Sequence, residues 1–442
     1  MLSNLGHVII GVTDNIMVGH VSAVSLAAAG LALVVFNVLL LFGIGVSYAI
    51  TPLVAAADGE ANDEEVIQTV RHGLVINLIT SLLLVVAVAF GSNLLYELNQ
   101  PAEVISEAIP FLQIIAISMI PILVFQTFKQ FAEGLSKTRV ALFVMIGAIL
   151  LNIPLNYIFI YGHLGLPSMG LEGAGYATFI SRIFMALSIT LYIYHHHSFK
   201  KYRGIFRFGK YKTSLINKML HLGVPSGVQF IFEVAAFDFS LVMMGWIGTQ
   251  TQAAHQIAIN MATISYMTTA GLAAAATIRV GYFLGANDFT SLRKAAWSTL
   301  AIAMAVMFAW GILFIGGRHF LPALYVEEKE VIMIASSLLI IAGLFQLADG
   351  AQVVCTSALR GLQDVKIPSV LILVSYWMIG LPLGYVLTFK MNVGATGIWW
   401  GLLTGLTLTA IAMFIRLKYQ IGKLERAAQK ITPTEAKDAV IN

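Results

Sequence analysis

Gly19-His-Val-Ser-Ala-Val-Ser-Leu-Ala-Ala28 returns 226 residues later as Gly245-Trp-Ile-Gly-Thr-Gln-Thr-Gln-Ala-Ala254. Three further pairs follow in the same order. Ala61-Asn62-Asp63 returns as Ala286-Asn287-Asp288 at an offset of 225, and Gly134-Leu135 as Gly361-Leu362 at 227. Pro154 and Tyr157 return as Pro382 and Tyr385 at 228. A slowly drifting offset is what two related halves with a few added residues produce. Around these anchors the chain reads as twelve apolar helical segments, six in each half. They fall near 2–20, 26–56, 72–90, 108–132, 140–161, 172–194, 219–245, 252–284, 292–315, 331–360, 367–389 and 394–418. A helix of about 20 apolar residues crosses the hydrocarbon core of a bilayer. A porin-type barrel would instead show alternating segments of about ten residues.

Six helices per half is an even number, so both halves enter the membrane in the same orientation. That makes a parallel repeat about an axis along the membrane normal, with binding expected near the midplane between the halves. The expected fold is an all-α polytopic membrane protein of twelve transmembrane helices in two six-helix lobes. We expect an N-terminal lobe over 1–194, a basic loop over 195–218, a C-terminal lobe over 219–418 and a polar tail over 419–442. The segments at 26–56, 252–284 and 331–360 exceed the bilayer and should tilt, bend or extend past it.

Composition agrees. The 442 residues are 58% hydrophobic and 11% charged, against about 25% charged in a soluble domain, and mean hydropathy is +0.85. A soluble enzyme, a disordered chain and a secreted disulfide scaffold are excluded. The single cysteine, Cys355, allows no internal disulfide and no cysteine-based metal site. Net charge is +4, which here reflects basic loops beside anionic lipid rather than nucleic acid as a partner. The loops at 57–71, 133–139, 195–218, 279–294 and 360–366, with the tail from Arg416, hold 21 of the 26 Lys and Arg. The opposite loops hold Arg318, Lys329 and Lys390 and are acidic at Glu97, Glu103, Glu107, Glu327, Glu328 and Glu330. The positive-inside rule then sets both termini in the cytoplasm, as expected of a bacterial inner-membrane protein. Residues Met1 to Gly19 lack the basic start of a secretory leader. The segment near Met219 has a first-half counterpart that would begin before Met1, so the first helix is expected to lack its opening residues.

Charges inside a bilayer cost about 2.5–3.5 kcal/mol each on insertion scales and mark function by default. The candidates are Asp14, Glu233, Asp238 and Asp349, with Lys129 and Arg182 less deep. The plainer reading of each carboxyl is a protonated group bonded to a neighbouring helix. Asp238 lies about 140° round the helix from Glu233, and its role stays open. The repeat sets Glu233, Asp14 and Asp349 opposite His7, Ser240 and Ile122, so the two halves are specialised differently. Asn152 and Asn156 share one helix face, and Pro154 between them frees the carbonyl of Leu150. One carboxylate, two amides and a loosened backbone suit a hard cation such as sodium, by analogy with other oxygen-ligated ions; a Pro-kinked helix bonded to its neighbour fits as well. In the second half Glu233, Asp349, His255, Gln256 and Gln346 form an acidic, amide-lined pocket if they converge. Aromatic and methionine side chains around them would suit cationic ligands.

Two stretches are set aside. Gly204-Ile-Phe-Arg-Phe-Gly209-Lys210 begins like a phosphate-binding loop, but Tyr211 stands where Ser or Thr must hold magnesium. His195-His196-His197 reads as an interfacial loop. No nucleophile triad, dinucleotide fingerprint or HExxH motif is present, so no enzyme is expected, and no cofactor.

The chain resembles the multidrug and toxic-compound extrusion (MATE) transporters, most of all their NorM-like branch. The matching stretches in the first half are Thr13-Asp-Asn-Ile-Met-Val-Gly19, Glu133-Gly-Leu-Ser-Lys-Thr138 and Leu151-Asn-Ile-Pro-Leu-Asn156. In the second half they are Gly223-Val-Pro-Ser-Gly-Val-Gln-Phe-Ile-Phe-Glu233, Ala254-His-Gln-Ile-Ala-Ile-Asn260, Thr277-Ile-Arg-Val-Gly281 and Ala358-Leu-Arg-Gly-Leu362. The resemblance implies two lobes forming a V, and export of cationic, amphipathic compounds against inflow of Na+ or H+. It implies a cation site at Asp14, Asn152, Asn156 and Thr178, and an acidic pair at Glu233 and Asp349 for substrate or protons. Phe345 departs from the pattern, since NorM-like members can carry Tyr there. The expected partners are small cationic drugs and membrane lipid, for a monomer. A flippase for lipid-linked sugars is the alternative reading, and it would need a more basic central cavity.

Overall fold

The computed structural model describes residues 11, 13, 14, 16–98, 100–207, 209 and 211–431. Among them are eleven helices long and apolar enough to cross a membrane. They are α1 (Ala23–Gly59), α2 (Asp63–Gly91), α3 (Ala102–Gly134), α4 (Arg139–Tyr161), α5 (Gly170–His195), α6 (Thr213–Ile247), α7 (Thr249–Gly285), α8 (Phe289–Gly316), α9 (Lys329–Gly361), α10 (Lys366–Lys390) and α11 (Ala395–Ala428). No strand occurs among the described residues. The predicted opening segment at 2–20 is described only from Gly11 on, and His7 lies outside the described residues.

Helix starts follow local chemistry. Ser22 caps α1 by accepting from the N–H of Ser25 at 2.9 Å. Asn62 caps α2 through the N–H of Glu65 at 3.0 Å, and Asp63, Glu64 and Glu65 fill its first turn. Those charges complement the positive end of the helix dipole, so α2 starts at Asp63 rather than at 72, where apolar residues begin. The same device opens α8, where Asp288 accepts from the N–H of Ser291 at 2.9 Å. The last helix runs on to Ile431, so most of the predicted polar tail is helical; residues 432–442 lie outside the described ones. Asp364 Oδ2 holds this extension, accepting from Arg416 Nε and Gln420 Nε2 at 2.7 Å each. The expected basic loop contains a short 3-10 helix, His197–Phe206, whose Phe199, Tyr202 and Ile205 are buried.

The chain forms two compact units. The first comprises Met1–Val54 and Asn62–Val228, the second Ala55–Ala61 and Gln229–Asn442. The division falls within α6, later than the loop that sequence suggests. In the first unit Ala28, Ala29, Ala32 and Phe36 of α1 pack with Phe111, Leu112 and Ile115 of α3. Glycines let helices touch there: a Cβ on Gly45 would sit 2.4 Å from the Cα of Gly227. In the second unit Gly59 and Gly285 make a reciprocal contact. A Cβ on Gly59 would lie 2.0 Å from the carbonyl oxygen of Tyr282, and one on Gly285 1.9 Å from that of Ala56. Large side chains such as Leu83 (64% exposed), Phe90 (83%) and Leu150 (67%) face outward. In a bilayer these form the lipid-facing surface.

The backbone carries its own record of the repeat. All six described non-glycine residues with positive φ fall into three pairs: Ala61 and Asn287 (54° and 55°), Ser136 and Gln363 (both 61°), and Leu164 and Asn392 (58° and 55°). Their spacings are 226, 227 and 228. The first refines the sequence reading: Asn62 corresponds to Asp288, cap to cap, not to Asn287. One element differs between the halves. Helix α4 is α-helical throughout, whereas α10 contains π-helical turns at Val374–Gly380 and Val386–Lys390.

Candidate functional site

In the first unit Asp14 meets α4 and α5. Asn152 and Asn156 stand one turn apart on α4, both fully buried, with Pro154 between them. Asn156 Nδ2 donates to Asp14 Oδ1 at 2.5 Å and to Asn152 Oδ1 at 3.2 Å. Thr178 Oγ1 of α5 donates to Asp14 Oδ2 at 2.9 Å. Both carboxylate oxygens are therefore held by donors. Asn156 Oδ1 and Asn152 Nδ2 are buried without a hydrogen-bond partner. Orphaned buried polar atoms are rare in folded proteins and mark places where a group from outside can bind. The opening segment is fastened from α4 by Tyr161, whose hydroxyl donates to the carbonyl of Met17 at 3.0 Å.

Arg182 lies one turn beyond Thr178, and its charge interacts with that of Asp14. Its Nη1 donates to Ser118 Oγ at 2.6 Å, and its guanidinium lies 4.7 Å from the ring centre of Phe36. The sequence reading left it out of the site. The i,i+4 relation to Thr178 was the available signal.

In the second unit Glu233 of α6 accepts from Gln352 Nε2 of α9 at 2.8 Å, and Gln352 Oε1 accepts from the hydroxyl of Tyr376 at 2.9 Å. Gln229 also hydrogen-bonds Glu233, and the charges of Arg360 and Asp349 act on this cluster. Asp349 is 6% exposed and Tyr376 1%. Gln346, one turn before Asp349, is fully buried with both amide atoms unpartnered. Tyr376 comes from the first π-helical stretch of α10. The next residue, Trp377, donates its indole N–H to the carbonyl of Phe232 at 2.9 Å. A phenol from α10 thus reaches the glutamine that bonds Glu233, while Phe345 packs against Phe237 and Trp399. Gln352 and Tyr376 were not legible as site residues.

Other expected members are placed elsewhere. His255 is buried between Trp399, whose Nε1 donates to His255 Nδ1 at 3.1 Å, and Ser240, 3.4 Å from Nε2. Ser240 gives its own proton to the carbonyl of Phe237, so His255 is neutral with its proton on Nε2, a packing role. Gln256 is exposed and donates to Asn260 at 3.3 Å. Asp238 is exposed. Lys129 is buried 4.0 Å from Glu133. Among the described residues no three His, Cys, Asp or Glu could jointly hold a metal ion.

Eleven apolar spans among the described residues, with two buried groups of carboxyls and amides, define a multi-pass membrane protein. The MatE family model matches residues 1–158 and 225–386. A probable multidrug resistance protein NorM from Agrobacterium fabrum is 34% identical over 433 residues, 97% of this chain and 92% of that protein. A multidrug resistance protein NorM from Aliivibrio fischeri is 32% identical over 94% of this chain and 92% of its own length. A crystal structure of a MATE transporter in the bent conformation superposes with a TM-score of 0.89 at 20% identity, covering 97% of this chain and 94% of that one. A MOP superfamily transporter from Pyrococcus furiosus, described by the reverse polarity of its binding pocket, superposes at 0.85 with 21% identity over 96% and 94%. The chain belongs to the MatE family, the multidrug and toxic-compound extrusion family that its sequence resembles.

Proposed function

We propose that this protein is a multidrug efflux antiporter that exports cationic, amphipathic compounds in exchange for Na+ or H+. The curated relatives are named for multidrug resistance. The observation that carries the coupling part is the Asp14 cluster, with its orphaned amide atoms on Asn152 and Asn156. Turning over the Asn156 amide exchanges its N–H for Oδ1. The Asp14 carboxylate, Asn156 Oδ1, Asn152 Oδ1 and Thr178 Oγ1 then offer oxygens to a sodium ion. A proton on Asp14 empties the same cage. Either ion biases the first unit only through differential affinity for its conformations, which is all that coupling requires.

Glu233 and Asp349 neutralise the cationic substrate or exchange protons for it, with Gln352 and Tyr376 holding Glu233 in place. Carboxyls in this cluster favour cations over a pyrophosphate headgroup, against the lipid-flippase reading. The protein works as a monomer in the bacterial inner membrane with both termini cytoplasmic. Ethidium export from reconstituted vesicles under separate sodium and proton gradients tests the proposal. Export driven by one gradient names the ion. Export by neither, from folded protein, overturns the antiporter reading.

A further inference from the structure

A further polar site lies in the second unit where α8 ends at Gly316 and α9 begins at Lys329. The surface opposite the basic one carries three Lys or Arg, namely Arg318, Lys329 and Lys390. Two of them, Arg318 and Lys329, line one cavity of about 350 Å³ together with His319 and Ser337. Arg318 Nε donates to His319 Nε2 at 3.1 Å, and Ser336 Oγ of α9 lies 2.7 Å from the carbonyl oxygen of Arg318.

The charges around this cavity do not cancel within the chain. Glu327, Glu328 and Glu330 flank Lys329 and are exposed. Yet neither Arg318 nor Lys329 makes an ion pair with any described residue. Opposite charges at close range that stay apart leave both signs free for a ligand. The rest of the cavity wall is apolar and faces outward: Met333 is 66% exposed and Ile340 36%. On α8 Ile312 and Leu313 are also outward-facing, 58% and 48% exposed. At the end of a membrane span such a surface meets hydrocarbon, while the basic groups sit at headgroup height.

We propose that this cavity binds the zwitterionic headgroup of a phosphoethanolamine lipid. Arg318 and Lys329 take the phosphate, which the guanidinium fork and the ammonium both suit. The ammonium of the headgroup turns to Glu327, Glu328 and Glu330, and an acyl chain runs along Met333 and Ile340. The lipid seats on the first turns of α9, the helix that carries Asp349.

Native mass spectrometry of the full-length protein, released from mixed micelles of phosphatidylethanolamine, phosphatidylcholine and phosphatidylglycerol, tests this. Preferential retention of phosphatidylethanolamine is expected. The double variant Arg318→Gln/Lys329→Gln should retain it roughly thirtyfold less, from about 1 kcal/mol per basic contact, while Arg318→Lys keeps it. The triple variant Glu327→Gln/Glu328→Gln/Glu330→Gln should shift preference to phosphatidylglycerol. Equal retention of all three lipids, preference for phosphatidylglycerol in the unsubstituted protein, or unchanged retention in a folded double variant would overturn the proposal. So would binding of water-soluble phosphoethanolamine as tightly as the lipid, because the apolar wall would then contribute nothing.

Discussion

Asn156 and Asp14, 142 residues apart in the chain, are joined by a 2.5 Å hydrogen bond in which the amide donates. That amide nitrogen also reaches Asn152, so one side chain orders the whole cluster. A hydrogen bond to a charged group is worth about 1.5–3 kcal/mol. That bond steadies the charged carboxylate before the ion arrives, so Asn156→Ala should tighten half-saturation about ten- to a hundredfold if protons drive export, and weaken it if sodium does, because the turned amide's Oδ1 is lost as a ligand; Asp14→Asn should abolish gradient-driven ethidium export. Half-saturation unchanged within about twofold in folded Asn156→Ala protein would end the cage reading.

Tyr376→Phe keeps the ring and removes the donor to Gln352 Oε1. Leaving a buried acceptor unsatisfied costs about 1–3 kcal/mol. The melting temperature in detergent should fall, and ethidium affinity should fall with it, because Gln352 is then free to leave Glu233. A variant that melts lower yet binds ethidium as before would separate Tyr376 from substrate binding.

Two glycine substitutions should have opposite signs. In Gly285→Ala the new Cβ would lie 1.9 Å from the carbonyl oxygen of Ala56, so the helices must part; a loss of about 2 kcal/mol or more is expected, as for overpacked cores. Gly422→Ala meets nothing within 4 Å and should stabilise its helix by about 0.5–1 kcal/mol. Thermal unfolding of the two variants side by side decides whether close contact at Gly285 sets the difference.

Outside the membrane spans, Lys201 lies 2.6 Å from Asp63. That hydrogen bond, chiefly, raises the lysine above its usual value of 10.5. A raised folded value contributes stability that is fully present below pH 10.5 and is lost as pH climbs through the folded value. The pair is about half exposed, so the effect is small and screened by salt. Melting curves from pH 8 to 11 should show a decline beginning above pH 10.5 at low salt, absent from Lys201→Met. Equal curves would show that the pair adds nothing.

Much of the architecture was legible because its signals are local. Apolar length, the charge asymmetry of loops and the recurrence of short stretches need no knowledge of packing. Asp14, Asn152 and Asn156 were read as an oxygen-rich group from the residues themselves and Thr178 was added by likeness to a family, and the structure brings them within hydrogen-bonding distance. The second cluster was read less well. His255 was grouped with the acids because it is polar and follows closely, yet its ring is spent on Trp399 and Ser240. Gln352 and Tyr376 are ordinary residues in apolar helices, and only contact across three helices gives them a role. Helix α2 was started nine residues late because Asp63, Glu64 and Glu65 look like a loop until their place at a helix N-terminus is known.

The first π turn of α10 acquires an origin from the spacing of the paired corners. Pro154 follows Ser136 by 18 positions, and their counterparts Pro382 and Gln363 are 19 positions apart. A π turn closes over one residue more than an α turn, and Val374–Gly380 lies inside the longer interval. The second half is thus one residue longer in mid-helix, and the swollen turn keeps both ends in register. The swelling carries Tyr376 and Trp377, the residues that flank Glu233 from this helix. The chemical difference between the two halves thus coincides, at this helix, with a single extra residue.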